Sequence, residues 1–110
     1  MTKHLVLAAA AIAAFSASDA FAADADHGKQ LYATCAACHG PTGAGNEALG
    51  APPIAGMPAW YTVRQLNNFK TGVRGANPKD THGQQMAPMA KMLGTDDDVA
   101  DVAAYIETLK

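Results

Sequence analysis

Cys35-Ala36-Ala37-Cys38-His39 is the stretch on which this chain turns. Two thiols stand three positions apart, and an imidazole directly follows the second. That spacing suits covalent haem attachment: each thiol can add across one vinyl group, and the adjoining imidazole is then held beneath the iron. Three other readings compete. A thioredoxin-like redox pair has no use for the histidine and belongs in a βαβ context that this chain lacks. A tetrahedral zinc site needs a second knuckle of ligands, and no third cysteine exists. A plain structural disulfide leaves the histidine without a role. Haem is the reading to test against the rest of the sequence.

At 110 residues with formal net charge -2, the chain holds one domain at most, and nothing in its charge points to nucleic acid. A domain this small buries a modest core, and a covalent apolar plate would serve as its staple. The N-terminus reads as an export signal over residues 1–22. Lys3 and His4 give a weakly positive start, Leu5 to Phe15 is an apolar run too short for a permanent anchor, and Ala20-Phe21-Ala22 is a cleavage signature. The mature domain is therefore expected over residues 23–110, exported to the periplasm if the source is bacterial.

Within that domain the spacing predicts a first helix over Asp24 to Ala37, capped by Asp24 or Asp26, with Leu31, Tyr32 and Cys35 on one face. Gly28 inside it suggests a close helix crossing, and His27 reads as surface. Eight Gly and Pro residues from Pro41 to Pro58 predict an ordered loop over Gly40 to Pro58, with Ile54 and Met57 able to turn inward. A second helix is expected from Pro58 to Thr71, with a Thr62, Leu66, Phe69, Val73 stripe and Trp60, Tyr61 and Phe69 in the core. Arg74 to Ala87 reads as a second loop and Met89 to Leu93 as a short helix begun by Pro88, its methionines packing in the core. Thr95 then caps a terminal helix whose buried stripe is Val99, Val102, Ala103 and Ile106, the acidic run Asp96-Asp97-Asp98 complementing its N-terminus. The fold class is all-α: three to four helices and two long loops around one site.

Cys35-Ala36-Ala37-Cys38-His39-Gly40, Pro52-Pro53-Ile54-Ala55-Gly56, Met86 and Asp101-Val102-Ala103-Ala104-Tyr105-Ile106 occur in the order seen in class I c-type cytochromes, which the chain resembles. The run Tyr61 to Gly75, with Gln65-Leu66, Phe69-Lys70 and Arg74, is most similar to one half of the dihaem bacterial members. A second C-x-x-C-H is missing, so the expectation is one haem c. The resemblance implies thioether attachment at Cys35 and Cys38 and His39 as proximal ligand. It implies that the Pro52 carbonyl accepts from that imidazole, Ile54 packs on the haem face, and Gly28 and Tyr32 meet Tyr105 where the first and last helices cross.

For the sixth ligand Met57, Met86, Met89, Met92 and His82 are available. A soft sulfur opposite histidine raises the potential, as suits a carrier. Met86 is favoured because it precedes Pro88 in what reads as extended backbone, and the family spacing of seven residues to Leu93 agrees. The expected function is a soluble one-electron carrier that docks transiently with redox partner proteins, without a permanent membrane anchor and not an enzyme. The alternatives are a haem subunit of a larger dehydrogenase and a haem-based sensor of small ligands. An enzyme would need an open iron position and distal acid–base groups, for which only His82 stands nearby.

Overall fold

A computed structural model of the protein describes residues 22–110; the expected export signal lies almost entirely outside the described residues. Helix α1 spans Ala25–His39, α2 Ala59–Thr71, α3 Thr81–Lys91 and α4 Asp96–Thr108, with one 3₁₀ turn at Glu47–Leu49. Among the described residues there is no strand, only an isolated bridge between Asn46 and Ala51. The all-α expectation holds.

Helix α1 begins where its cap dictates. The Asp24 carboxylate accepts the amides of Asp26 and His27 at 3.0 and 3.1 Å, satisfying two of the amides a helix start leaves without partners. The helix continues two residues past the expected end and carries the whole C-x-x-C-H run. It crosses α4 at close range. A Cβ on Gly28 would lie 1.9 Å from the Asp101 carbonyl oxygen, so the crossing admits no side chain there. Tyr32 and Tyr105 stack across the same crossing with ring centroids 5.3 Å apart. Val99, Val102, Ala103 and Ile106 are buried on α4, as their spacing predicts, and Thr95 caps that helix by accepting the Asp98 amide at 3.0 Å.

Three expectations need correction. His27 is not merely surface: its side chain is half-exposed, but Nδ1 donates to Asp101 at 2.8 Å, and Asp101 is a buried carboxylate on α4 that also accepts the Asp24 amide at 2.8 Å. The stripe on α2 stops early. Gly72 ends the helix in the left-handed conformation, leaving Val73 beyond it and 76% exposed, while Thr62, Leu66 and Phe69 are buried. Trp60 is not core but 64% exposed, with the Arg64 guanidinium 5.1 Å above its ring.

A fourth correction bears on the site. The segment read as loop from Arg74 to Ala87 is helical from Thr81, and Pro88 lies inside α3 instead of starting a short helix. Asp80 is the cap, its carboxylate accepting the Gly83 amide at 3.0 Å. Pro88 withholds the amide that would serve the Gln84 carbonyl; both residues are exposed, so water can take that place and the helix survives the proline. Met89 and Met92 are 37% and 65% exposed, not packed in the core. Helix α2 packs on both α3 and α4, and the Lys70 ammonium donates to the Leu93 carbonyl just past the end of α3.

Candidate haem site

Because α1 runs through the motif, Cys35, Cys38 and His39 sit at i, i+3 and i+4, on one face of one helix. Both cysteines are free; Cys35 is half-buried and Cys38 exposed. Burial pushes the Cys35 thiol above its ordinary value, which keeps it neutral. A redox pair needs the opposite, a thiol lowered toward thiolate. Cys35 thus lacks the lowered thiol that marks a redox pair.

The loop after the motif is pinned to it by backbone. The Tyr32 hydroxyl donates to the Gly40 carbonyl at 2.6 Å, and Gly45 N–H donates to the His39 carbonyl at 2.8 Å. Gly45 has φ +82°, and a Cβ there would stand 2.6 Å from the Pro53 nitrogen, so only glycine allows the chain to fold back this closely. The paired amides of Asn46 and Ala51 then deliver Pro52 beside the imidazole. His39 Nδ1 lies 2.8 Å from the Pro52 carbonyl oxygen, and His39 is 9% exposed. A carbonyl can only accept, so Nδ1 carries a proton, and in the neutral ring the lone pair is then on Nε2. That is the tautomer a metal-bound histidine requires, with its ring held in a single orientation.

All six residues singled out from the sequence (Cys35, Cys38, His39, Pro52, Ile54 and Met86) line one cavity of about 750 Å³. Its size falls within the range of about 300–1,000 Å³ typical of cofactor pockets, and its wall is chiefly apolar. Met86 is half-buried and reaches the cavity from α3, not from extended chain. The backbone argument for Met86 therefore fails. Its place on the wall comes instead from helical spacing, with His82 one turn before it and Met89 one turn after, both also on the wall.

The sequence reading missed several wall residues. Arg74 donates to Gln65 Oε1 at 2.8 Å, and its guanidinium lies 4.5 Å over the Phe69 ring; Gln65, Phe69 and Arg74 all face the cavity. Asp80 lines it too, while its carboxylate caps α3. Thr62 lines it as well, a hydroxyl in an otherwise apolar stripe, and that placement is its sequence signal.

An apolar cavity, two thiols at helical i, i+3 spacing and a histidine with its Nε2 lone pair free fit haem c. Residues 25–110 match the family described as cytochrome c. The chain belongs to the cytochrome c family. Its cofactor is covalently bound haem c, and one C-x-x-C-H motif accounts for one such group. Among relatives, cytochrome c4 of Azotobacter vinelandii is 36% identical over 91 residues, covering 81% of this chain and 42% of the relative. Cytochrome c-554(548) of Halomonas halodenitrificans is 37% identical over 84 residues, 76% of this chain and 94% of that protein. A thiosulfate dehydrogenase electron acceptor of Stutzerimonas stutzeri is 42% identical over 73 residues, 64% of this chain and 30% of its own length.

In solved structures the fold matches reduced cytochrome c4 from Pseudomonas stutzeri, with TM-score 0.67 and 30% identity over 78% of this chain and 48% of that one. It also matches part of thiosulfate dehydrogenase from Marichromatium purpuratum, with TM-score 0.66 and 34% identity over 77% and 18%. The chain thus spans under half the length of the cytochrome c4 relatives, which bears out its resemblance to one half of a longer cytochrome. One of these relatives is by its name an electron acceptor.

Proposed function

We propose that the chain is a one-electron carrier with a single haem, its iron held between His39 and Met86. What carries the reading is the His39–Pro52 hydrogen bond inside a cavity that Met86 also lines. Haem supplies an iron that gains or loses one electron without substrate bonds being made or broken. His39 offers Nε2 in fixed orientation, and Met86 offers a soft thioether that favours the reduced state. Cys35 and Cys38 would hold the group, and Ile54 would pack against it.

Two axial ligands leave no position for substrate, which argues against an enzyme. The acid–base groups are poorly disposed as well: His82 packs against Gly50, and the Asp80 carboxylate is engaged by the Gly83 amide. Residues 1–22 act as an export signal in this reading and the domain works in the periplasm; among the described residues no helix is long and apolar enough to cross a membrane. The partners are redox proteins met in brief encounters. The likeness to a thiosulfate dehydrogenase structure favours a second reading, a fixed subunit of a dehydrogenase.

The deciding experiment is an absorption spectrum of purified holoprotein, oxidised and reduced, with and without carbon monoxide. Filled axial positions predict slow carbon monoxide binding, negligible peroxidase turnover and fast exchange with small mediators. Rapid stoichiometric binding at neutral pH would instead establish an open iron and a sensor or enzyme. Size-exclusion of the native extract separates free carrier from subunit.

A further inference from the structure

Thr62 on α2 is 7% exposed, and its hydroxyl has no hydrogen-bond partner in the protein. A helical threonine ordinarily donates to the carbonyl four residues back. Thr71, later on the same helix, does so, donating to the Asn67 carbonyl at 2.9 Å. For Thr62 that acceptor is the Pro58 carbonyl, which already takes the amides of Tyr61 at 3.0 Å and Thr62 at 3.1 Å. Both of its lone pairs are used, and the hydroxyl is left to the cavity that Thr62 lines.

Buried hydroxyls are rarely left without a partner, so an acceptor must come from what shares this cavity. Of the oxygen acceptors on the protein wall, Gln65 Oε1 is taken by Arg74, Asp80 Oδ1 by Gly83 and the Pro52 carbonyl by His39, while Gln30, Thr34, Tyr61 and Gln85 are exposed and open to water. Met86, half-buried on α3, which packs against α2, presents a thioether whose sulfur accepts and never donates.

We propose that in the haem-loaded protein the Thr62 hydroxyl donates to Met86 Sδ and so tunes the potential of the iron. Thr62 is a positioning residue that acts through the sulfur, and the inference rests on Met86 being the axial ligand. A donor directed at the sulfur draws lone-pair density away from the iron. The ferric state needs that density more than the ferrous, so the hydrogen bond raises the reduction potential.

The test compares Thr62→Val, which replaces the hydroxyl with a methyl group, and Thr62→Ser, which retains it, both as holoprotein. Thr62→Ala serves as a second hydroxyl-free variant if valine impairs folding. The readouts are midpoint potential, the near-infrared sulfur-to-iron charge-transfer band and the pH dependence of the potential. The expected result is a lower potential and a shifted band in Thr62→Val, both restored in Thr62→Ser. An unchanged potential and band in the hydroxyl-free variants overturns the proposal. So does a lowered potential with an unmoved band and an altered pH dependence, which would assign the hydroxyl to a haem carboxylate. If the wild-type band survives in Met86→Ala, the axial assignment itself falls, and that failure is seen without any Thr62 variant.

Discussion

Gly28→Ala tests the helix crossing that carries the haem motif. By helix propensity alone the change should stabilise, by about 0.8–1.0 kcal/mol, because alanine is the better helix former. The structure predicts the opposite sign. The new Cβ would stand 1.9 Å from the Asp101 carbonyl oxygen and 2.5 Å from its carbonyl carbon, against a floor of 3.0 Å for real contacts. The obstacle is backbone, so no rotamer relieves it, and α1 and α4 must part by more than 1 Å. Separation strains the Asp24–Asp101 and His27–Asp101 hydrogen bonds, both 2.8 Å, and the Tyr32–Tyr105 stack. Overpacking costs about 1–3 kcal/mol and each weakened hydrogen bond about 0.5–1.5. After the propensity gain is subtracted, a net loss of about 1–5 kcal/mol remains. Urea unfolding of the oxidised holoprotein, followed by far-ultraviolet circular dichroism, should show a lower midpoint with little change in slope. A Gly28→Ala protein as stable as wild type, or more so, would refute the crossing as described.

Met86→Ala should remove the near-infrared sulfur-to-iron band and lower the potential, whereas Met89→Ala should keep the band; the reverse pattern would show that Met89 is the ligand. Because Met89 is 37% exposed, its truncation should cost less than the roughly 2–5 kcal/mol of a buried methionine. The Asp101 carboxyl lies below its ordinary value, held there first by the Asp24 amide and then by His27, so its contribution is present above about pH 4 and fades as pH falls through the depressed value. His27 lies above 6.5, raised chiefly by its hydrogen bond to Asp101; its contribution is complete below that pH and is lost as pH rises through the elevated value. Urea midpoints of wild type minus His27→Gln should therefore be greatest between about pH 4 and 6.5, and a difference flat across pH 3–8 would discard the pair. Intact-mass measurement should find residues 23–110 plus one haem that survives acid-acetone extraction; freely extracted haem would remove Cys35 and Cys38 as attachment points.

How much was legible followed how local the cause was. The caps at Asp24 and Thr95, the stripe on α4 and the haem motif are short-range signals, and each appears where its residues predict it. The small side of Gly28 was readable because glycine inside a helix demands a reason. Partnerships across the fold were not. His27 and Asp101 are 74 positions apart, and nothing near either residue marks the other. Trp60 failed for a related reason: an aromatic beside an apolar stripe looks like core until the helix's rotation is known, and Arg64 then covers it instead. The segment after Gly75 reads as loop because Pro88 is taken to start a helix, whereas Asp80, a capping residue three positions before Gly83, starts it earlier.

That last error changes how the distal side is understood. A methionine in extended chain would be placed mainly by its bond to iron, and its position would follow the metal's state. Met86 instead belongs to a helix fixed independently of any metal. Asp80 caps the N-terminus of α3, Ala87 and Ala90 press its other face into the core at 7% and 0% exposure, and Lys70 holds the carbonyl of Leu93 just beyond its end. On the proximal side, His39 ends α1 and takes its orientation from Pro52. Both proposed ligands are thus presented by helices that pack, directly or through α2, against α4. Electron transfer favours a site that changes little between oxidation states, and this arrangement places that constancy in the core rather than in the coordination bonds. The small side chains at Ala87 and Ala90 follow from the same requirement, because larger ones would push α3 away from the core and draw the Met86 sulfur away with it.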